Sequence, residues 1–295
     1  MDIRVLKYFL AVAREQSYSI AAERLHLSQP TLSRQLKELE EELGKTLLIR
    51  SNKGVTLTEE GMILRKRAEE IAELLDKAEQ EVKQSSETIS GKVYIGAGET
   101  YAIKLIADTA RKLQKDHPSI SYSIYSADGA DVTDRLDKGL IDFGLIFQSY
   151  DITKYESIEI PLKDKFGVLM RRDAELAKKD ELHISDLANK PLIVPRQENH
   201  SYLLTNMLGA EKENLNITAE YNLVYNGSVM ASEGMGYCIC FDKLINVTGE
   251  SNMCFKPLVP EIEAGCNFVW KKHTVFTKAA ELFLSQFKQD TAMMK

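Results

Sequence analysis

The chain has 295 residues, 44% of them hydrophobic, which is enough for more than one core, so a small domain joined to a larger one is expected. Charges at Arg4, Lys7, Arg14 and Glu15 interrupt the first apolar stretch and no later apolar run reaches bilayer length, which excludes a secretory signal and a membrane span and predicts a cytoplasmic protein. Net charge is -6, yet nine Lys and Arg stand against seven Asp and Glu up to Leu57, so a slightly basic head precedes an acidic body, a division compatible with nucleic acid as a partner.

Leu6, Phe9, Leu10 and Ala13 recur at the spacing of one helix face. A second, short helix is predicted after Ser19 as N-cap, with Ile20, Ala21, Ala22 and Leu25 as its packing surface, and His26 and Leu27 make the turn. Ser28 can cap a third helix that tolerates Pro30 in its first turn, buries Leu32, Leu36, Leu39 and Leu43, and stops at Gly44. Leu47 to Arg50 and Val55 to Leu57, separated by Ser51, Asn52, Lys53 and Gly54, suit a small hairpin, or wing.

From Thr58 to about Ser86 a long helix is predicted, in which Leu64, Ala68, Ile71, Leu75, Ala78 and Val82 alternate steps of four and three. Such a helix reaches roughly 40 Å at 1.5 Å per residue, more than a small head can cover. A second copy of the chain is the expected cover; docking on the chain's own body is the alternative.

Ser85, Ser86, Ser90 and Gly91 read as a hinge, and an α/β pattern follows. Strands are predicted at Val93 to Ile95, Ser121 to Tyr125, Leu140 to Phe147, Phe166 to Met170, Leu192 to Val194, Ala219 to Leu223 and Tyr237 to Phe241. Helices are predicted at Thr100 to Leu113, Asp131 to Lys138 and Thr277 to Lys288. Two such lobes bind ligands between them, near the carboxyl ends of their strands.

No catalytic constellation is present. Gly44-Lys45-Thr46 lacks the upstream glycine of a phosphate-binding loop, because Glu40 stands there, and Gly96-Ala97-Gly98 lacks the third glycine of a dinucleotide turn, because position 101 is Tyr101. His26, His117, His183, His200 and His273 have no metal spacing, so neither a metal nor a cofactor is expected. Cys238 and Cys240 share a strand face, with Cys254 and Cys266 nearby, and are read as core thiols rather than a redox pair.

A helix-turn-helix inserts its second helix into the major groove by the N-terminal end, so the side opposite the leucine stripe matters: Gln29, Pro30, Ser33, Arg34 and Lys37. Arg and Gln suit guanine and adenine edges, while Ser28, Thr31 and the free N–H groups of the helix start suit phosphates. Arg50, Ser51 and Lys53 place the wing on neighbouring backbone or minor groove.

The uninterrupted run from Ser19 through Arg24, Ser28, Gln29, Pro30 and Arg34 to Glu40, continued by Gly44, Leu47, Leu48, Arg50, Thr56, Leu57, Thr58 and Gly61, resembles the head of LysR-type transcriptional regulators. Leu136 to Gly144 and Val229 to Phe241 match the rest of that family more loosely but in order. The resemblance implies a winged helix-turn-helix over 1–57, a linker helix and hinge over 58–90, and an effector-binding domain over 91–295. That domain is a two-lobed α/β fold resembling type 2 periplasmic binding proteins, with lobe I at 91–161 and 268–295 and lobe II at 162–267. It also implies a dimer of dimers on an interrupted A/T-rich palindrome of double-stranded DNA, a small-molecule effector that alters DNA bending, and RNA polymerase as a further candidate partner. An isolated periplasmic solute receptor is the rival reading, opposed by the head and the missing export signal.

Carried onto this sequence, the effector cleft would be lined by Gly98, Glu99, Thr100, Ser126, Asp128, Phe147 and Gln148 from one lobe and by Pro195, Arg196 and Ser228 from the other. Family members that bind carboxylates place a hydroxyl residue and helix-start amides where Gly98 to Thr100 stand, and Glu99 departs from that. It either enters the cleft, favouring a cationic or neutral polar ligand, or points to solvent as a helix-start charge.

Overall fold

Two units, Met1–Lys83 and Gln84–Lys295, divide the chain; the computed structural model describes residues 1–51, 54–82, 89–196 and 215–294. Ser85 and Ser86 of the expected hinge and Lys53 of the wing lie outside the described residues.

The first unit comprises α1 (Ile3–Glu15), α2 (Tyr18–Arg24), α3 (Gln29–Leu43), the hairpin β1 (Leu48–Ser51) and β2 (Gly54–Leu57), and α4 (Glu59–Val82). Local chemistry sets the boundaries. Ser28 caps α3 by accepting from Thr31 N, and Gly44 ends it in the left-handed region at φ 62°. The second helix starts earlier than predicted: Ser17, not Ser19, is its N-cap, so Ile20 falls on the exposed side while Tyr18, Ala21 and Ala22 are buried.

Phe9 and Val12 of α1, Ala21 and Ala22 of α2 and Leu32, Leu36 and Leu39 of α3 close one core with Leu47, Leu48 and Val55 beneath the wing. Leu43, expected in that core, is 40% exposed, because the stripe has rotated off the packing face by the last turn. Val55 N donates to Gln16 O at 2.9 Å, tying β2 to the end of α1.

The root of α4 is fixed just as tightly. Thr58 Oγ1 donates to Thr46 O at 2.7 Å and accepts from Gly61 N at 2.9 Å. A Cβ on Gly61 would lie 2.2 Å from Leu47 O, so no side chain fits there. Of the predicted seam, Ala68 is fully buried and Leu64 packs partly buried on the head core, both under their own chain. Farther along the seam Ile71, Ala78 and Val82 are exposed and Leu75 is half-buried, and Met62, Ile63 and Leu74 of the same helix are uncovered as well.

The second unit is a ten-stranded sheet system of order β4-β3-β5-β12-β6-β10-β8-β9, with β11 on β6 and β7 on β11. Its strands are β3 (Gly91–Ala97), β4 (Ile120–Ser126), β5 (Phe143–Phe147), β6 (Tyr155–Arg171), β7 (Leu182–His183), β8 (Pro191–Pro195), β9 (Asn216–Tyr221), β10 (Tyr237–Phe241), β11 (Met253–Val259) and β12 (Glu263–Lys271). Among the described residues the α-helices of this unit are α5 (Ile103–Asp116), α6 (Gly129–Asp137), α7 (Val224–Ser232) and α8 (Lys278–Ala292). The predicted strand at Leu140 begins only at Phe143, while α7, β11 and β12 carry no clean period and are found only in the structure.

β6 joins the lobes. Tyr155 to Lys165 pair with β12, whereas Phe166 to Leu169 pair with β10. Because β12 pairs with β6 from Glu263 and with β5 from Cys266, the chain is back in the first sheet before residue 268, the boundary expected for lobe I. Phe143, Phe268, Phe283 and Phe287 pack α8 onto that sheet. Asp290 of α8 accepts from Thr109 Oγ1 at 2.7 Å and Lys112 Nζ at 2.6 Å, clamping α8 to α5.

Replacing Gly61 with Ala forces the α4 root off Leu47; we expect the head to lose roughly 1–3 kcal/mol, read as a lower thermal midpoint for its transition. An unchanged midpoint would show that the root has slack.

Candidate functional site

The outward side of α3 has the expected residues. Ser28, Gln29, Pro30, Thr31, Arg34 and Lys37 are exposed, and Ser33 is half-buried. Ser28 Oγ and Thr31 Oγ1 lie 2.7 Å apart at a helix start whose first N–H groups carry partial positive charge. Arg34 and Lys37 sit 3.7 Å from Glu38 and 3.4 Å from Glu41, exposed pairs of the same helix. Such pairs are worth only about 0.3–0.5 kcal/mol, so a phosphate or a base edge readily replaces the carboxylate.

Two contacts that sequence reading missed orient the wing. Glu40 Oε1 accepts from Leu47 N at 2.7 Å and Leu48 N at 3.0 Å, so a carboxylate on α3 holds the start of β1. Arg50 lies with its guanidinium 4.0 Å above the Tyr18 ring and donates to Ser33 Oγ at 2.5 Å, which joins wing, α2 and α3. Ser51 is exposed beside it, and its hydroxyl donates to Gly54 O at 3.1 Å. The sequence offers little signal for Glu40, because its two partners lie seven and eight residues away across the turn into β1.

In the second unit a cavity of about 20 Å³, room for one water, is bounded by the carboxyl ends of parallel strands. Phe147 ends β5, Pro195 ends β8, Tyr221 ends β9 and Phe241 ends β10, while Glu99 stands two residues past β3. Phe166, Asn222, Val224, Cys240 and Leu244 complete the wall. Glu99 Oε2 accepts a hydrogen bond from Val224 N, the first N–H of α7, whose own N-cap Leu223 has no side-chain cap to give. A carboxylate of one lobe thus caps a helix of the other, and burial pushes that carboxyl above its ordinary range while the Val224 N–H pulls it back.

Below Glu99, Thr100 is buried and donates to Asp164 Oδ2, whose other oxygen accepts from Tyr101 N at 3.0 Å. Burial raises the Asp164 carboxyl as well. Cys266 is 1% exposed and its thiol, pushed to about 12 by burial, stays protonated against Thr100 Oγ1 at 3.6 Å. Cys238 and Cys240 lie in the core on the α7 side of β10, as expected for packing thiols, and the hydrogen bond from Cys238, then burial, holds Cys240 well above the usual thiol range. No group of three or more metal-ligating side chains occurs among the described residues.

Residues 3–62 match the family model described as the bacterial regulatory helix-turn-helix protein, lysR family, and residues 86–292 match the LysR substrate binding domain. The chain belongs to the LysR family. It is 32% identical over 202 residues to the HTH-type transcriptional regulator BsdA of Bacillus subtilis (strain 168), covering 68% of each chain. Its fold is similar to that of CbnR, a LysR family transcriptional regulator, with a TM-score of 0.79 at 18% identity over 99% of both chains. CbnR has also been solved at full length with its target DNA, and that structure is similar at a TM-score of 0.76 and 19% identity, over 98% of this chain and 100% of that one. The protein is therefore a transcriptional regulator with a DNA-binding head and an effector domain, and not an enzyme.

The cleft residues implied by the LysR resemblance divide in two. Glu99, Phe147 and Pro195 line the cavity, and Gly98 backs it, since a Cβ there would meet Phe147 Cε2 at 3.3 Å. The other six do not line it. Thr100 gives its hydroxyl to Asp164, Asp128 caps α6 by accepting from Asp131 N at 3.0 Å, and Ser228 Oγ donates to Tyr225 O at 2.7 Å. Gln148 Nε2 donates to Glu159 at 3.0 Å and its amide lies across Gly265. Ser126 and Arg196 are exposed. Nor does Glu99 point to solvent as a charge on its own helix; it caps α7 instead. Tyr221, Phe166 and Phe241 were missed because apolar aromatic residues at strand ends read as core.

Truncating Glu40 to Ala leaves Leu47 N and Leu48 N without their acceptor. Urea unfolding of the head is expected to register a loss of about 1–3 kcal/mol, with weaker DNA retardation; full stability would show that water replaces the carboxylate.

Proposed function

We propose that this regulator reads DNA by inserting the N-terminal half of α3 into a major groove, with Gln29, Arg34 and Lys37 toward base edges and Ser28, Thr31 and the helix-start N–H groups on phosphate. Pro30 supplies an apolar contact at the groove floor, and Arg50, Ser51 and Lys53 carry the wing to the flanking backbone. Ser33 acts by holding Arg50. The observation that carries this reading is the division of α3 into a buried side, Leu32, Leu36 and Leu39, and an opposite side left open from its first residue.

The cavity at the strand ends is the seat of a small-molecule effector, lined by residues of both lobes, so a ligand there changes how the lobes meet. A second copy covers α4 along Ile63, Ile71, Leu74, Ala78 and Val82, and two such dimers form the working tetramer. Ile71 is 38%, Leu74 45% and Val82 85% exposed, which supports an interhelical cover there. No helix among the described residues is long and apolar enough to cross a membrane. The cytoplasm, where its DNA lies, is the proposed site of action, with RNA polymerase as a further partner.

Gel retardation tests the head. Arg34→Ala is expected to weaken cognate binding by about 1–3 kcal/mol while scarcely changing random DNA, and Lys37→Ala to weaken both and lower the salt slope by about one. Equal losses for Arg34→Ala on both sequences would reduce that residue to a phosphate contact. Light scattering tests the helix: Leu74→Asp should halve the assembly mass, and an unchanged mass would place the interface elsewhere.

A further inference from the structure

Among the described residues, Glu99 is the one acidic residue that lines the cavity at the strand ends. Its carboxylate is half-buried, one oxygen accepts from Val224 N, and among the described residues Oε1 has no donor and no Lys or Arg pairs with the group. A carboxylate drawn out of water without a cation is costly, and its raised protonation range reflects that cost.

The surrounding wall points the same way. Phe147 and Phe241 lie 5.2 Å apart between ring centroids and Phe166 and Phe241 4.2 Å apart, a cluster of rings whose faces carry partial negative charge. Outside the cavity wall, Asp164 and Asp242 add two carboxylates against one cation, Lys243, which lies 3.0 Å from Asp242 and also acts on Asp164. An anionic ligand faces the opposite situation: the helix-start N–H it would seek is already taken by Glu99, and it would come to rest beside that carboxylate.

We propose that the effector of this cleft is a protonated amine, its ammonium head taking the one-water space against Glu99 Oε1 and the Phe147–Phe241 rings, and its apolar body following Leu244 with Asn222 as a second acceptor at the rim. The proposal rests on the reading of this cavity as the effector seat and assigns its charge preference. An ammonium group is close to a water molecule in size, which is the room the cavity has. It brings a countercharge without disturbing the Val224 bond, so the ligand strengthens the contact between the lobes instead of competing with it.

The test uses the full chain and three series of one skeleton each: benzylamine, 2-phenylethylamine and butylamine, their carboxylate counterparts benzoate, phenylacetate and butyrate, and the neutral amides of those acids. Isothermal titration is expected to show amines binding at least tenfold more tightly than either other series. Glu99→Gln, which keeps the shape and the Val224 bond, should cost the amines tenfold or more and leave the amides unchanged. Phe147→Leu, an independent check should the first variant fold poorly, should cost the amines roughly threefold. Tighter binding of carboxylates or amides than amines, or amine binding untouched by Glu99→Gln, overturns the assignment and leaves the cleft standing as a ligand site. Failure of all three series to bind overturns both.

Discussion

A strand of seventeen residues is long for a twisted sheet, and β6 stays continuous by serving two. Its first part, from Tyr155 to Lys165, is held by β12, and Phe166 to Leu169 pass to β10. Everything in the larger unit follows from that shared strand. It keeps the lobes side by side while leaving the carboxyl ends of β5, β8, β9 and β10 to converge on a common gap. Glu99 then bridges the gap from the far side, so a carboxylate on a helix start joins the lobes in addition to the backbone that β6 and the β11–β12 connection carry across.

The head follows a different economy. Its three helices are too short to be stable alone, and their stability comes from one small core of Phe9, Val12, Leu32, Leu36 and Leu39. Polar groups do the positioning: Glu40 fixes β1 relative to α3, and Arg50 joins the wing to Tyr18 and Ser33. The same α3 therefore presents one side to the core, a second to the wing and a third to the groove.

What was legible in the sequence was local. Ser28 as a cap, Gly44 as a stop and the leucines between them depend on neighbours within one or two turns, and the structure has each of them, Leu43 excepted. The long uninterrupted match through α2 and α3 also carried the family. Less legible was anything decided by distant partners. The period of α4 showed that it has an apolar side, but not that Ala68 and Leu64 would be covered by the head while Ile71, Ala78 and Val82 of the same seam stay open. β12 is buried on both faces from Cys266 to Trp270 and so has no alternation to betray it. In the cleft, hydroxyl and amide residues drew attention, whereas Thr100, Ser228 and Gln148 spend their polar atoms inside the protein and the wall is built of rings.

The crowding at Gly61 bears on how a signal could travel. With Leu47 O where a methyl group would go and Thr58 bonded both to Thr46 and to the first turn of the helix, α4 has no play at its base. A helix of twenty-four residues mounted this way behaves as a lever with a welded foot. A twist applied along its shaft is therefore passed to the start of the wing, since Thr46 and Leu47, which lead into β1, also grip the first turn of the helix.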